Sequence, residues 1–291
     1  MTPSRRFPYL REANRDQPAL PPEGSNTFGR VTAITSRTYW NVREAKFGRR
    51  ENQGRAMRAK VTLIGNEGFL IEAGGAAILI DAFYGAIPGL ASASALGAHS
   101  IAKADLILVT HAHWDHFQAA EVADAANRTG ATVVGPAAVI NELRRKVPAE
   151  QLVKLEPASA RKGFALCEKT HLPAATITAF RTFHALGHNS YLVETPSFRF
   201  FHDGDNEDTR RLDPAALGTL DALLIGPWQG SGWVEFIERL APDRWFLMHL
   251  SEEELDQHEA GTFLPDLCDH VPLPDRLVVL RPGQSFTFHE R

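Results

Sequence analysis

The run ADLILVT at residues 104–110 leads without a break into HAHWDH at residues 111–116. A continuous apolar run of that length, rich in β-branched residues, is the pattern of a strand buried on both faces. The segment after it is chemically unusual: three histidines and an aspartate within six positions. Side chains alternate along an extended chain, so His111 and His113 face one point if strand geometry persists just past Thr110. Asp115 and His116 then fall on the turn into the next element, within reach of a neighbouring point. Imidazole and carboxylate are the donors that zinc and its first-row neighbours accept. Four of them crowded together favour two adjacent metal ions over one. Without metal, the imidazoles would stack at a strand end lacking partners, which burial penalises.

The flanking pattern supplies the scaffold. KVTLIG, FLIEA and AAILIDA, between Lys60 and Ala82, are short β-branched runs separated by glycine-containing turns, the pattern of a meander. After the histidines come an expected helix over 118–128, a strand ATVVG, a helix PAAVINELRRK and a strand QLVKL. The second half repeats the theme. ATITAFRTF, SYLVET and FRFFHDG read as strands, and DTRRLDPAALGTL as a helix. Strand ALLIG, helix WVEFIERL, strand RWFLMHL, helix EEELDQHEAG and strands RLVVL and SFTFHE finish the chain. Strand-rich halves with interspersed helices predict an α/β fold, a four-layer αββα sandwich in which two mixed sheets pack face to face with helices outside.

Charge and cysteine content narrow the class. The 291 residues carry a net charge of −4, so nothing global points to nucleic acid. Eight basic residues against Glu44 and Glu51 make the stretch from Arg37 to Lys60 locally positive, a solvated arm or a feature that steers an anionic substrate. Cys167 and Cys268 form neither a disulfide framework nor a thiolate metal site. The N-terminal residues lack the apolar core of a secretory signal, and no apolar stretch is long enough to span a bilayer, so a cytoplasmic protein is expected. Residues 1–59 read as a partly irregular, basic extension and 60–291 as the domain.

THAHWDH resembles the signature of the metallo-β-lactamase fold superfamily of metal-dependent hydrolases, and the resemblance extends from about Lys60 to the C-terminus. It implies five motifs in order: Asp81 in ILIDAF; His111, His113, Asp115 and His116; a histidine from FRTFHALGHNSYLVE; Asp205 in FFHDGD; and His249 in WFLMHL. For the third motif His184, directly after a strand-like run, is favoured over His188; Asp205, which follows glycine, is favoured over Asp203. By the resemblance, one metal takes His111, His113 and His184, and the other Asp115, His116 and His249, with Asp205 bridging. Asp81 would orient ligand side chains. A hydroxide held between the metals would be the nucleophile. The catalytic set so implied is Asp115, Asp81 and His188, the last contacting substrate or stabilising a leaving group. The cofactors are two divalent ions, zinc first, with manganese or iron as alternatives.

Within the superfamily the pattern is similar to the branch of ascorbate-6-phosphate lactonase and N-acyl phosphatidylethanolamine phospholipase D. It departs from that branch at Gly65-Asn66-Glu67, where a histidine often comes after the glycine. Trp114, between the ligand candidates, either packs under the metals or lines the mouth of the pocket; Trp228 and Trp233 are candidates for an apolar wall or for plain core, and the loop containing His99 for a lid. The expected function is a dinuclear hydrolase acting on an ester, lactone or phosphodiester bond of a small-molecule substrate, anionic if the basic stretch steers it. The alternatives are an iron-dependent oxidoreductase on the same fold or a catalytically idle metal-binding protein. A homo-oligomer is compatible with the sequence.

Overall fold

The computed structural model describes residues 56–82, 101–184, 187–226 and 231–290. Among them are two seven-stranded sheets. The first is built in order from β1 (Met57–Gly65), β2 (Gly68–Ala73), β3 (Ala76–Ile80), β4 (Leu106–Leu108), β5 (Thr132–Gly135) and β6 (Leu152–Lys154). The second runs β7 (Cys167–His171), β8 (Thr176–Arg181), β9 (Asn189–Glu194), β10 (Arg199–His202), β11 (Ala222–Ile225), β12 (Arg244–Leu247) and β13 (Leu277–Val279). The last strand, β14 (Ser285–His289), returns to the first sheet and pairs antiparallel with β1.

The two sheets share one pairing scheme. β1 to β3 pair antiparallel and β3 to β6 parallel. β7 to β10 pair antiparallel and β10 to β13 parallel. Parallel neighbours need a crossover, and helices supply it. α1 (Ala119–Thr129) and α2 (Ala137–Leu143) link the parallel strands of the first sheet. α3 (Pro214–Leu217), α4 (Trp233–Leu240) and α5 (Glu252–Glu259) do so in the second.

The period-2 alternation of the strands sorts their side chains into three cores. Ile78, Ile80, Leu106 and Leu108 meet Phe200, Leu224 and Phe246 between the sheets. Leu79, Ile107 and Val133 point the other way, onto Val122, Val139 and Leu143 of α1 and α2. Leu223, Trp245 and Leu247 likewise pack on Trp233, Phe236 and Ile237 of α4. The four layers expected from the sequence are present, and the apolar run before the histidines is buried on both faces because both neighbouring layers claim it.

Three local features differ from the sequence reading. The edge strand β7 was not signalled, because CEKTH is polar and exposed and borrows its conformation from β8. The helix expected over 208–220 is a single turn at Thr209–Arg211 and then the four-residue α3. Pro214 has no amide to donate and holds Asp213 in extended geometry, which breaks the run. The first ladder also begins at Met57, so two of the eight basic residues belong to β1. Arg58 pairs with Asp221 at 2.7 Å and Asp243 at 3.6 Å, and Lys60 with Glu72 at 3.5 Å. The other basic residues of that stretch, the loop with His99, and Trp228 lie outside the described residues. No helix among the described residues is long and apolar enough to cross a membrane.

The outer core of the second sheet hinges on Trp245, fully buried with its indole facing that of Trp233 at 6.4 Å between ring centres. Trp245→Ala should lower unfolding free energy by about 3–5 kcal/mol. Urea denaturation should show a lower midpoint with an unchanged slope.

Candidate metal centre

The parallel strands of both sheets end at one place, and the chain reverses there with buried polar side chains. β4 hands over to Val109 and Thr110, whose backbone stays tied on both sides: Val109 N donates to Val134 O at 3.0 Å and Thr110 O accepts from Asn189 N at 3.0 Å. The chain then turns, with the amides of His116 and Phe117 both donating to His113 O at 3.0 and 2.9 Å. That turn folds His116 back beneath His111, their rings 4.2 Å apart. β3 ends in Asp81, β10 in the segment His202-Asp203-Gly204-Asp205, and β12 leads to His249.

Asp81 and His249 adopt left-handed backbone conformations, φ 44° and 63°. Such conformations cost about 1–3 kcal/mol each. At Asp81 the return is visible. Its carboxylate accepts from Thr110 N at 2.8 Å, Thr110 Oγ1 at 2.5 Å and His116 Nδ1 at 3.1 Å. Hydrogen bonds to a charged group stabilise by about 1.5–3 kcal/mol apiece, so three of them outweigh the strain.

Seven side chains converge. The donor atoms of His111, His113, His184 and Asp205 lie within 4.8 Å of one another, as do those of Asp115, His116 and His249. In the first group His111 Nε2 is 2.9 Å from His113 Nδ1, which is 3.3 Å from His184 Nε2. In the second, Asp115 Oδ2 is 3.5 Å from His116 Nε2 and 3.7 Å from His249 Nε2. Asp205 touches both: Oδ2 is 3.3 Å from His184 Nε2 and 3.2 Å from His116 Nε2, and Oδ1 is 3.6 Å from His249 Nε2. His113 is exposed, and Trp114 is 55% exposed, so the cluster opens to solvent along this loop. Trp114 therefore stands at the rim and does not pack under the cluster.

The outer nitrogens set the tautomers. A carboxylate only accepts, so Asp81 holds the proton on His116 Nδ1, and Glu207 Oε1, at 2.8 Å, holds it on His184 Nδ1. Thr110 Oγ1 gives its own proton to Asp81 and accepts from His111 Nδ1 at 3.0 Å. The inward Nε2 atoms of His111, His116 and His184 are left with lone pairs, as metal-binding imidazoles require. His116 Nε2 is fully buried and forms no hydrogen bond, so the donor set fits a divalent cation better than it fits itself.

Protonation obeys the same geometry. Burial, then the charge of His116, drives the His111 imidazole toward its neutral form, and burial with His184 does the same at His113. Burial disfavours the charged form of His116, but Asp205, Asp115 and Asp81 outweigh it and hold its pKa above the ordinary histidine value. Burial likewise raises Asp205 and Asp115. The charge of His116 overcomes that at Asp205, and the close approach of the His116 and His249 rings, at 3.5 and 3.7 Å, overcomes it at Asp115, so both carboxyls are held low.

The structure separates the two third-motif candidates. His184 faces the cluster. His188 is fully buried beneath it, with Nδ1 2.8 Å from Thr182 Oγ1 and Nε2 accepting from the Asp205 amide at 3.0 Å. Both of its nitrogens are engaged, so it cannot line the pocket as expected from the sequence. Asp203 turns away, its Oδ1 accepting from Asn206 Nδ2 at 3.1 Å and Ser190 Oγ at 3.2 Å. Trp233 is core, not pocket wall. Sequence reasoning missed Thr110 and Glu67. The second lies wholly buried against the cluster, and only the departure at Gly65-Asn66-Glu67 marked the place.

The family described as the beta-lactamase superfamily domain matches residues 76–259. A UPF0173 metal-dependent hydrolase of Pyrococcus furiosus is 32% identical over 233 residues, covering 78% of this chain and 98% of the relative. The chain belongs to the metal-dependent hydrolases of the β-lactamase superfamily. The fold of this hydrolase is also that of Igni18, a metallo hydrolase of Ignicoccus hospitalis, at TM-score 0.54 and 20% identity over 80% of this chain and 99% of the other. CmlA, a diiron β-hydroxylase of Streptomyces venezuelae, superposes at TM-score 0.57 and 13% identity over 81% of this chain and 55% of its own.

One glycine of the hydrolase controls the shared carboxylate. Gly204 has φ 60°, and a Cβ there would sit 2.6 Å from His188 Nε2. Gly204→Ala should therefore destabilise the fold by about 1–3 kcal/mol, through backbone strain and displacement of His188. Urea unfolding measures the loss, and a change within about 0.5 kcal/mol would contradict it.

Proposed function

We propose that this hydrolase works with two divalent cations. One is held by His111, His113 and His184, the other by Asp115, His116 and His249, with Asp205 shared between them. The observation that carries this reading is the set of inward lone pairs fixed from behind by Asp81, Thr110 and Glu207, around one carboxylate that reaches both groups. A cation pair there supplies an acidic water and polarises a carbonyl or phosphoryl oxygen. Zinc suits these nitrogen and oxygen donors, and manganese or iron would also be accepted.

The chain's own residues divide the remaining work. Asp81 and Thr110 position His111 and His116, and His188 positions Asp205 through its amide. Asp115 closes the second group on the solvent side. The opening beside His113 and Trp114 admits a small substrate with an ester, lactone or phosphodiester bond. No side chain beyond the cluster is needed as a general base.

Elemental analysis of reconstituted protein should find two ions per chain, and chelation should abolish turnover of lactone and phosphodiester substrates. A stoichiometry held below one would defeat the dinuclear reading, and a single redox-active iron would favour the oxidoreductase alternative. His184→Ala should lose one ion and lower kcat/KM by at least about a hundredfold, whereas His188→Ala should keep both ions and lose about tenfold, the scale of groups that only orient ligands. The reverse pattern of metal loss would exchange their roles.

A further inference from the structure

The hairpin turn between β1 and β2 consists of Asn66 and Glu67, set between Gly65 and Gly68, which pair across the ladder. This turn is stitched into the metal centre at three points. Asn66 O accepts from His249 N at 3.1 Å, Asn66 Nδ2 donates to Asp115 O at 3.3 Å, and Glu67 O accepts from His202 Nε2 at 2.9 Å. Neighbouring backbone makes room for it. A Cβ on Gly68 would meet Asp81 O at 2.7 Å, and one on Gly226 would sit 3.3 Å from Glu67 Oε1 and 3.6 Å from His249 Cβ. The Glu67 side chain is thus held in one place, at the ends of β10, β11 and β12.

What the carboxyl does there is not explained by the fold. It is completely buried, and neither oxygen receives a hydrogen bond. No lysine or arginine pairs with it among the described residues. Its nearest cationic partner is His116 Nδ1 at 3.7 Å, which already serves Asp81 at 3.1 Å. Its donor atoms lie within 4.8 Å of those of Asp205 and His249. A buried carboxyl without donors, set beside a second carboxylate, is costly unless a cation or a shared proton lies between them; burial and the charge of Asp205 push the Glu67 pKa up when no cation is bound.

We propose that Glu67 is a further metal ligand, binding the ion held by Asp115, His116 and His249. This rests on the dinuclear reading above and makes the two positions chemically unlike. The first has three imidazoles and a shared carboxylate. The second has two imidazoles and, with Glu67, up to three carboxylates, a donor set richer in oxygen that suits the harder Mn²⁺ better than the first position does.

The test is a metal titration of wild type and Glu67→Gln, which keeps size and shape but removes the anionic donor. Metal-free protein receives one equivalent of Zn²⁺ and is then titrated with Mn²⁺, free Mn²⁺ being read by its paramagnetic resonance signal. Wild type should take up one manganese. Glu67→Gln should bind it at least about tenfold more weakly, the loss seen even for groups that merely orient ligands, while zinc binding is unchanged. The metal-free variant should melt no lower than metal-free wild type, because it lacks an uncompensated buried acid.

Equal manganese affinity in the two proteins would overturn the proposal, since glutamine mimics a protonated carboxyl that binds no metal. So would a lower metal-free melting point with intact manganese binding, which would make the residue structural. Wild type that accepts a second zinc but no manganese would also sink it. If wild type holds only a single ion, the dinuclear reading fails separately. Glu67 is then judged on that ion, whose affinity must fall in the variant.

Discussion

The carboxylate of Asp81 is the interaction on which the centre depends. It sits in a left-handed backbone conformation at the end of β3 and collects the Thr110 amide, the Thr110 hydroxyl and the His116 ring. Through Thr110 it also orients His111. One side chain thus joins two adjacent parallel strands and fixes which nitrogen of two imidazoles faces inward. Without it the ends of β3 and β4 would keep their pairing, but the histidines beyond would have no reason to share a point.

The second sheet contributes a parallel device. β10 occupies the same place in its sheet that β3 occupies in the first, at the change from antiparallel to parallel pairing. It too ends in a carboxylate segment. Here the anchor is His188, whose Nε2 takes the Asp205 amide and whose Nδ1 is held by Thr182. Gly204 lets the chain pass over that ring where no side chain fits. Each sheet therefore brings a buried acid to the cluster at its switch in pairing: Asp81 holds the histidine rings from behind, and Asp205 stands among them.

The electrostatics explain why so many polar groups tolerate burial. Imidazoles buried beside other imidazoles are pushed toward neutrality, while at His116 the surrounding carboxylates of Asp205, Asp115 and Asp81 outweigh burial and raise the pKa. A site so balanced is satisfied only in part by its own charges, as the lone Nε2 of His116 and the bare oxygens of Glu67 record. Such imbalance in a buried cluster is costly to the fold and marks a place built for a cation.

Much of this was legible in the chain itself. Alternation and run length determine strands buried on one face or two, and the local crowding of His111, His113, Asp115 and His116 marks a candidate metal-binding turn, because these residues need only one strand end to meet. The exposed β7, the break before Pro214 and the true start of β1 at Met57 escaped, since an edge strand takes its conformation from its neighbour and short helices end on single residues. The remaining residues of the cluster were a matter of tertiary structure. His184 and His188 come after the same strand four residues apart, and only Glu207 on one side and the Asp205 amide with Thr182 on the other decide which ring turns inward. Glu67 is the sharper case. Nothing in a two-residue hairpin says where its tip points, because that direction is set by hydrogen bonds to His249, Asp115 and His202, residues 49 to 183 positions away in the chain.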